Sequence, residues 1–71
     1  MKAALTKKDR TWIITRLIDE PEGALQSDAD SADDRRFQKL AKAGVLTCYD
    51  AMFGMNYYRF TNTGRQLLIG H

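Results

Sequence analysis

The sequence predicts a small α+β domain with two main helices, a β-hairpin and a short C-terminal helix. Three observations predict it. Ile13, Ile14, Leu17 and Ile18 form an apolar stripe at helical spacing, between a capping threonine, Thr6, and the helix-ending Pro21. Ser31 opens and Gly44 closes a second helical segment, whose apolar positions are Phe37, Leu40 and Ala41. Two strand-like segments, Leu46–Asp50 and Tyr57–Thr61, flank Gly54 and Asn56.

The first helix is expected over Lys7–Glu20. Thr6 can cap it, Asp9 stands three residues on, and Pro21 disfavours helix at the residue before it. Trp12 lies off the apolar stripe, across the helix from Leu17 at about 100° per residue. Two readings stand for it: cover from elsewhere in the chain, around Leu67 and Leu68, or an aromatic anchor that faces a partner between Lys8 and Arg16. After Pro21 a turn is expected at Glu22-Gly23, then one helical turn at Ala24–Gln26 with Leu25 pointing inward. Ser27, Asp28, Asp30 and Ser31 favour turns and caps.

The second helix is expected at about Ala32–Ala43, with Asp33 and Asp34 at the positive end of its dipole and Arg35, Arg36, Lys39 and Lys42 on its outer faces. Val45 and Leu46 then return to the core. The hairpin is expected at about 46–50 and 57–61, with a loop longer than two residues. Period two places Tyr58 and Phe60 on one face, and Tyr57 and Arg59 on the other. Thr61 can cap the last helix, from Asn62 to about Ile69. The expected core is Ile13, Ile14, Leu17, Ile18, Phe37, Leu40, Leu46, Tyr58, Phe60 and Leu67.

A chain of 71 residues reads as one domain, 1–71, with a small core. Cys48 is alone, so no disulfide framework is expected, and a free thiol suits a reducing, cytoplasmic setting. His71 is the single histidine, and no cluster of metal ligands accompanies it. Charges at Lys7, Lys8, Asp9 and Arg10 cut short the leader-like start, and no apolar run has membrane-spanning length. No glycine-rich phosphate loop or catalytic constellation is present, which argues against an enzyme, a cofactor or a small-molecule substrate. The net charge of +2 is small, but its distribution is uneven. From Asp19 to Asp34 the acids Asp19, Glu20, Glu22, Asp28, Asp30, Asp33 and Asp34 occur with no lysine or arginine among them.

The segments "FQKLAKAGVL" and "YYRFTNTGRQLL" resemble the second half of winged-helix domains in bacterial and phage regulators. The residues that carry the resemblance are Leu40, Gly44, Val45 and Leu46, then Tyr58, Arg59, Phe60, Thr61, Gly64 and Arg65, within a match from about Phe37 to Leu68. The resemblance implies a winged-helix-like α+β domain that binds double-stranded DNA, as a transcriptional regulator or a mobile-element accessory factor. It implies that the second helix enters the major groove with Arg35, Arg36, Lys39 and Lys42, and that Arg59 helps from the wing. The sequence departs from that pattern in three places. The middle helix is reduced to one turn, Asp28, Asp30, Asp33 and Asp34 gather at the entry end of the recognition helix, and the wing tip carries Met52, Phe53 and Met55 in place of cations.

These departures support an alternative: a phage-encoded inhibitor or adaptor, anti-CRISPR-like, that docks on a host protein complex. Its contacts would be Trp12, Met52, Phe53 and Met55 together with Asp28, Asp30, Asp33 and Asp34, and the wing would allow weak self-association. The competing expectation for Met52 and Phe53 is that they fold back onto their own hairpin.

Overall fold

The computed structural model describes residues 5–69; residues 1–4 and 70–71, His71 among them, lie outside that range. The elements run α1 (Lys7–Asp19), β1 (Gln26–Asp28), α2 (Ala32–Lys42), β2 (Leu46–Met52), β3 (Met55–Phe60) and α3 (Asn62–Ile69). Three helices accompany one antiparallel sheet of order β1-β3-β2. No helix among the described residues is long and apolar enough to cross a membrane.

α1 starts where its cap predicts, with the Thr6 side chain accepting from the Asp9 amide at 3.1 Å. Its buried arc differs from the expected stripe. Ile13 is fully buried and Leu17 packs against the core, but Ile18 is 72 % exposed and Ile14 lies outside the core cluster. Trp12 instead packs against the core, its ring centroid 5.0 Å from that of Phe37 in α2. Phe37 therefore gives Trp12 aromatic cover from α2. At about 100° per residue the covered arc runs from Trp12 through Ile13 to Leu17, and Ile18 falls beyond its far edge. A small domain covers one side of a helix, and α2 sets which side.

The segment after Pro21 contains a strand where a helical turn was expected. Gly23 donates to the Glu20 carbonyl and Gln26 to that of Gly23, which turns the chain toward the sheet. Gln26, Ser27 and Asp28 then pair with Tyr57, Asn56 and Met55. Flanking bonds from the Tyr58 amide to Leu25 and from the Ala29 amide to Gly54, both 2.8 Å, extend this ladder. β1 exists because β2 satisfies only one side of β3, and the backbone groups on the other side need partners. Leu25 reaches the core as expected.

α2 begins at Ser31, whose hydroxyl accepts from the Asp34 amide at 3.0 Å. It ends where Gly44 adopts φ 87° and the Val45 amide reaches back to the Leu40 carbonyl at 2.9 Å. Phe37, Leu40, Val45, Leu46, Tyr58 and Ile13 form the buried cluster, and Leu5, Phe60, Leu67 and Leu68 pack around it.

The hairpin is tighter than expected. Met52 pairs with Met55, which leaves a two-residue turn of Phe53 and Gly54 with φ 52° and 75°. Two left-handed residues in succession match the twist of the flanking strands, the pattern of a type I′ turn. Between Cys48 and Asp50 the register shifts, so Tyr49 bulges out of the ladder. Only Leu46 of β2 is buried, so β2 is the exposed outer strand, whereas β3 is partly or fully covered from Met55 to Tyr58.

Thr61 joins the hairpin to α3. Its hydroxyl lies 2.6 Å from the Gly44 carbonyl oxygen, to which it donates, and it accepts from the Gly64 amide at 2.9 Å. Gly64 is buried so closely against the Val45 carbonyl that any Cβ at this position would collide with backbone. Gly64→Ala should therefore destabilise the fold by about 2 kcal/mol or more, lowering the melting temperature by roughly 8–16 °C. An unchanged melting curve would show that α3 does not depend on this backbone contact.

Candidate functional site

The charged residues separate into a buried group, a paired group and an exposed face of α2. The buried group centres on Asp34, which is 0 % exposed. Its Oδ1 accepts from the Tyr58 hydroxyl at 2.8 Å and from Ser27 Oγ and Asn56 Nδ2 at 3.0 Å each. Its Oδ2 accepts from Gln38 Nε2 at 2.6 Å and from the Asp30 amide at 3.4 Å. All five donors are neutral, and the first turn of α2 adds the positive end of a helix dipole. Burial by itself raises the carboxyl pKa, but the bonds from Asn56, Tyr58, Ser27 and the Asp30 amide outweigh it and hold the group below its ordinary value. Burial, then the bond to Asp34, pushes the Tyr58 phenol up to about 12. Asp34, expected on the acidic surface, is thus an interior anchor that joins β1, α2 and β3.

The paired group holds α1 to α2. Arg16 donates from Nη1 to Asp33 Oδ2 at 3.1 Å, from Nε to the Ala24 carbonyl at 2.8 Å and from Nη2 to the Gln26 carbonyl at 3.0 Å. Arg36 donates from Nε to Asp9 Oδ1 at 3.1 Å, and its guanidinium sits 4.3 Å from the centroid of the Trp12 ring. Arg36 was expected to face outward with the other α2 cations, but here it is half-buried over α1. Lys7, Lys8, Thr11, Trp12 and Arg36 line a shallow groove beside it.

The exposed face remains. Ala32, Arg35, Gln38, Lys39 and Lys42 are the exposed residues of α2 besides Asp33, which Arg16 engages from α1. Arg35, Lys39 and Lys42 fall at i, i+4 and i+7, one stripe along the helix, with no carboxylate on it. The Arg35 guanidinium also donates to the Asp30 carbonyl at 2.9 Å, which holds it near the start of the helix. Asp28, the last residue of β1 beside Met55, and Asp30, on the turn before α2, remain exposed. On the hairpin, Arg59 is exposed and lies 5.2 Å from the Tyr49 ring centroid.

The wing tip does not fold back. Phe53 is 96 % exposed and Met52 45 %, while Met55 is partly covered. The sequence expected Arg35, Lys39 and Lys42 on the outer face of α2, where they stand, and left open whether Met52 and Phe53 fold back. It missed the Asp34 network, although a carboxylate three residues after a capping serine was a usable signal.

Asp34→Ala should strip five donors of their acceptor and lower stability by about 3 kcal/mol or more, measured by thermal or urea unfolding. In the wild type, the Asp34 contribution is complete above about pH 4 and is lost as pH falls through the lower native value. The Tyr58 contribution is complete below pH 10, its ordinary value, and is lost as pH rises toward about 12. A stability profile that is flat through both limits would contradict the network. Arg36→Ala should cost about 1 kcal/mol from the lost ring and carboxylate contacts, while Arg35→Ala should leave the melting temperature nearly unchanged.

Comparison with protein-family models, curated proteins and solved structures gives no match for this chain.

Proposed function

We propose that this protein is a small winged-helix-like DNA-binding module, a regulator or accessory factor that presents α2 to duplex DNA. One observation carries the reading: the exposed stripe of α2 holds Arg35, Lys39 and Lys42 and no carboxylate. Of the four acids that crowd this region in the sequence, two are engaged internally, while Asp28 and Asp30 stay exposed beside the start of α2. Asp34 is buried among neutral donors, and Asp33 is paired with Arg16. Phosphate contacts made by such a stripe are sequence-independent and displace counterions. Arg59 on the hairpin offers a further cation away from the helix. The element order, with a hairpin between α2 and a capped last helix, suits the same assignment. β1 and α1 brace α2 here, in place of a middle helix.

A second reading, a protein-binding inhibitor or adaptor, has the exposed Phe53 in its favour. It has lost part of its acidic surface, because Asp34 is interior and Asp33 is engaged.

Three phosphate contacts give a log–log salt slope of about −2.7, or roughly 40-fold weaker binding between about 50 and 200 mM salt. Fluorescence anisotropy with random-sequence duplex should show this dependence. Replacing Arg35, Lys39 and Lys42 together by alanine should abolish most of the affinity and flatten the slope, with the melting temperature unchanged. Equal affinity in the triple variant would remove α2 as the DNA-facing element.

A further inference from the structure

The first helix carries a charge pattern that its own stability does not explain. We propose that the exposed face of α1 is a homodimer interface: two copies of this chain pack α1 against α1, antiparallel, about a twofold axis at the middle of the helix. The proposal goes beyond the DNA-binding reading and does not rest on it.

Burial defines the face. Lys7, Lys8, Thr11, Thr15, Ile18 and Asp19 are exposed and fall within an arc of about 120°, at about 100° per residue. The charges on this arc run against the helix dipole. Lys7 and Lys8 stand in the first turn and Asp19 in the last, followed by Glu20. A helix gains from the opposite signs at its ends. α1 has those as well, in Asp9 and Arg16, but both are engaged within the chain, by Arg36 and Asp33. Among the described residues, Lys7, Lys8, Asp19 and Glu20 form no ion pair. Lys8 and Asp19 of one chain stand about 16 Å apart along the axis, beyond the screening length of about 8 Å at physiological salt. They do not satisfy each other.

A second copy, turned end to end, supplies each charge with its opposite. The antiparallel arrangement sets Asp19 and Glu20 of one copy level with Lys8 and Lys7 of the other, and the twofold axis repeats the match. A parallel arrangement would set like charges together, so charge selects the antiparallel one. The apolar parts agree in the same register. Ile18 is 72 % exposed, and it comes level with the groove that Lys7, Lys8, Thr11 and Arg36 form beside the Trp12 ring of the second copy. Thr11 and Thr15, near the axis, are short enough for the helices to approach to about 8–10 Å. Each copy thus gives the other the same patch that it receives, as an isologous contact requires. The helix has 13 residues and is about 20 Å long. Such a face is smaller than the roughly 800 Å² per side of a standard interface, so the dimer is weak and sensitive to concentration and salt.

The test is sedimentation of the full chain at low salt, without DNA, so its outcome is separate from that of the DNA reading. The wild type should pass from monomer toward dimer as concentration rises from micromolar to millimolar, and return toward monomer in molar salt. Two charge-reversed variants carry the argument: Lys7→Glu with Lys8→Glu, and Asp19→Lys with Glu20→Lys. Each alone should weaken self-association by about tenfold or more, because like charges then meet across the axis. Both bring the charges of α1 into line with its dipole, so neither should lower the melting temperature of dilute protein. Mixed in equal amounts, the two variants should associate again as a mixed dimer, since each supplies the charges that the other lacks. Ile18→Ser should also weaken the dimer with the melting temperature unchanged. A wild type that stays monomeric at millimolar concentration would overturn the proposal. So would charge-reversed variants that self-associate like the wild type, or that fail to associate when mixed. Self-association that survives these changes and is lost in Phe53→Ser would place the contact at the hairpin tip and overturn the assignment to α1.

Discussion

The carboxylate of Asp34 is the interaction on which the arrangement of this small fold depends. It is a charge with no cation bonded to it, held by Tyr58, Ser27, Asn56, Gln38 and the Asp30 amide. Each bond to a charged group contributes about 1.5–3 kcal/mol, set against several kcal/mol for removing the ion from water. The net gain is modest, but the geometry it imposes is specific. Asp34 fixes the rotation of α2, because one helix position must point into the sheet. Once it does, Phe37 and Leu40 face the core, and Arg35, Lys39 and Lys42 face outward. β1, three polar residues with a small apolar contribution, is docked by Ser27 through the same oxygen that receives Tyr58 and Asn56.

What was legible in the sequence was local. Thr6, Ser31, Gly44 and Thr61 signal helix ends through groups a few residues away, and those elements lie where they were expected. The alternation around Tyr58 and Phe60 likewise marked the buried face of the hairpin. What was not legible depended on a partner distant in the chain. Gln26-Ser27-Asp28 has low strand propensity and becomes a strand only because β3 needs a second neighbour. Trp12 and Ile18 exchanged places because Phe37 decides which arc of α1 is covered. Phe53-Gly54 lacks the usual asparagine or aspartate, so a tight turn was not expected. For the candidate site, Arg35, Lys39 and Lys42 are exposed as expected, but Arg36 was read as one more outward cation and Asp34 as one more surface acid. Composition does not distinguish an exposed carboxylate from a buried one.

The arginines show why net charge described the chain poorly. Arg16 and Arg36 are spent on carbonyls, carboxylates and aromatic rings between α1 and the rest of the molecule. They act as planar, multidentate braces, which a lysine could not replace. Their pairing with Asp33 and Asp9 also removes two carboxylates from the local field. The residual field belongs to side chains that make few internal contacts.

The bulge at Tyr49 has a consequence for how this chain behaves in crowded solution. β2 is a seven-residue outer strand with little charge, the kind of template on which extended chains stack into cross-β fibres. Here the ladder is broken midway. Tyr49 is displaced, the Asp50 carboxylate occupies the Ala51 amide, and the Cys48 thiol donates to the Asp50 carbonyl at 3.4 Å. An incoming strand finds no continuous row of free donors and acceptors to copy. The outer strand of the sheet can thus stay uncovered, because its rim is chemically blunted against propagation.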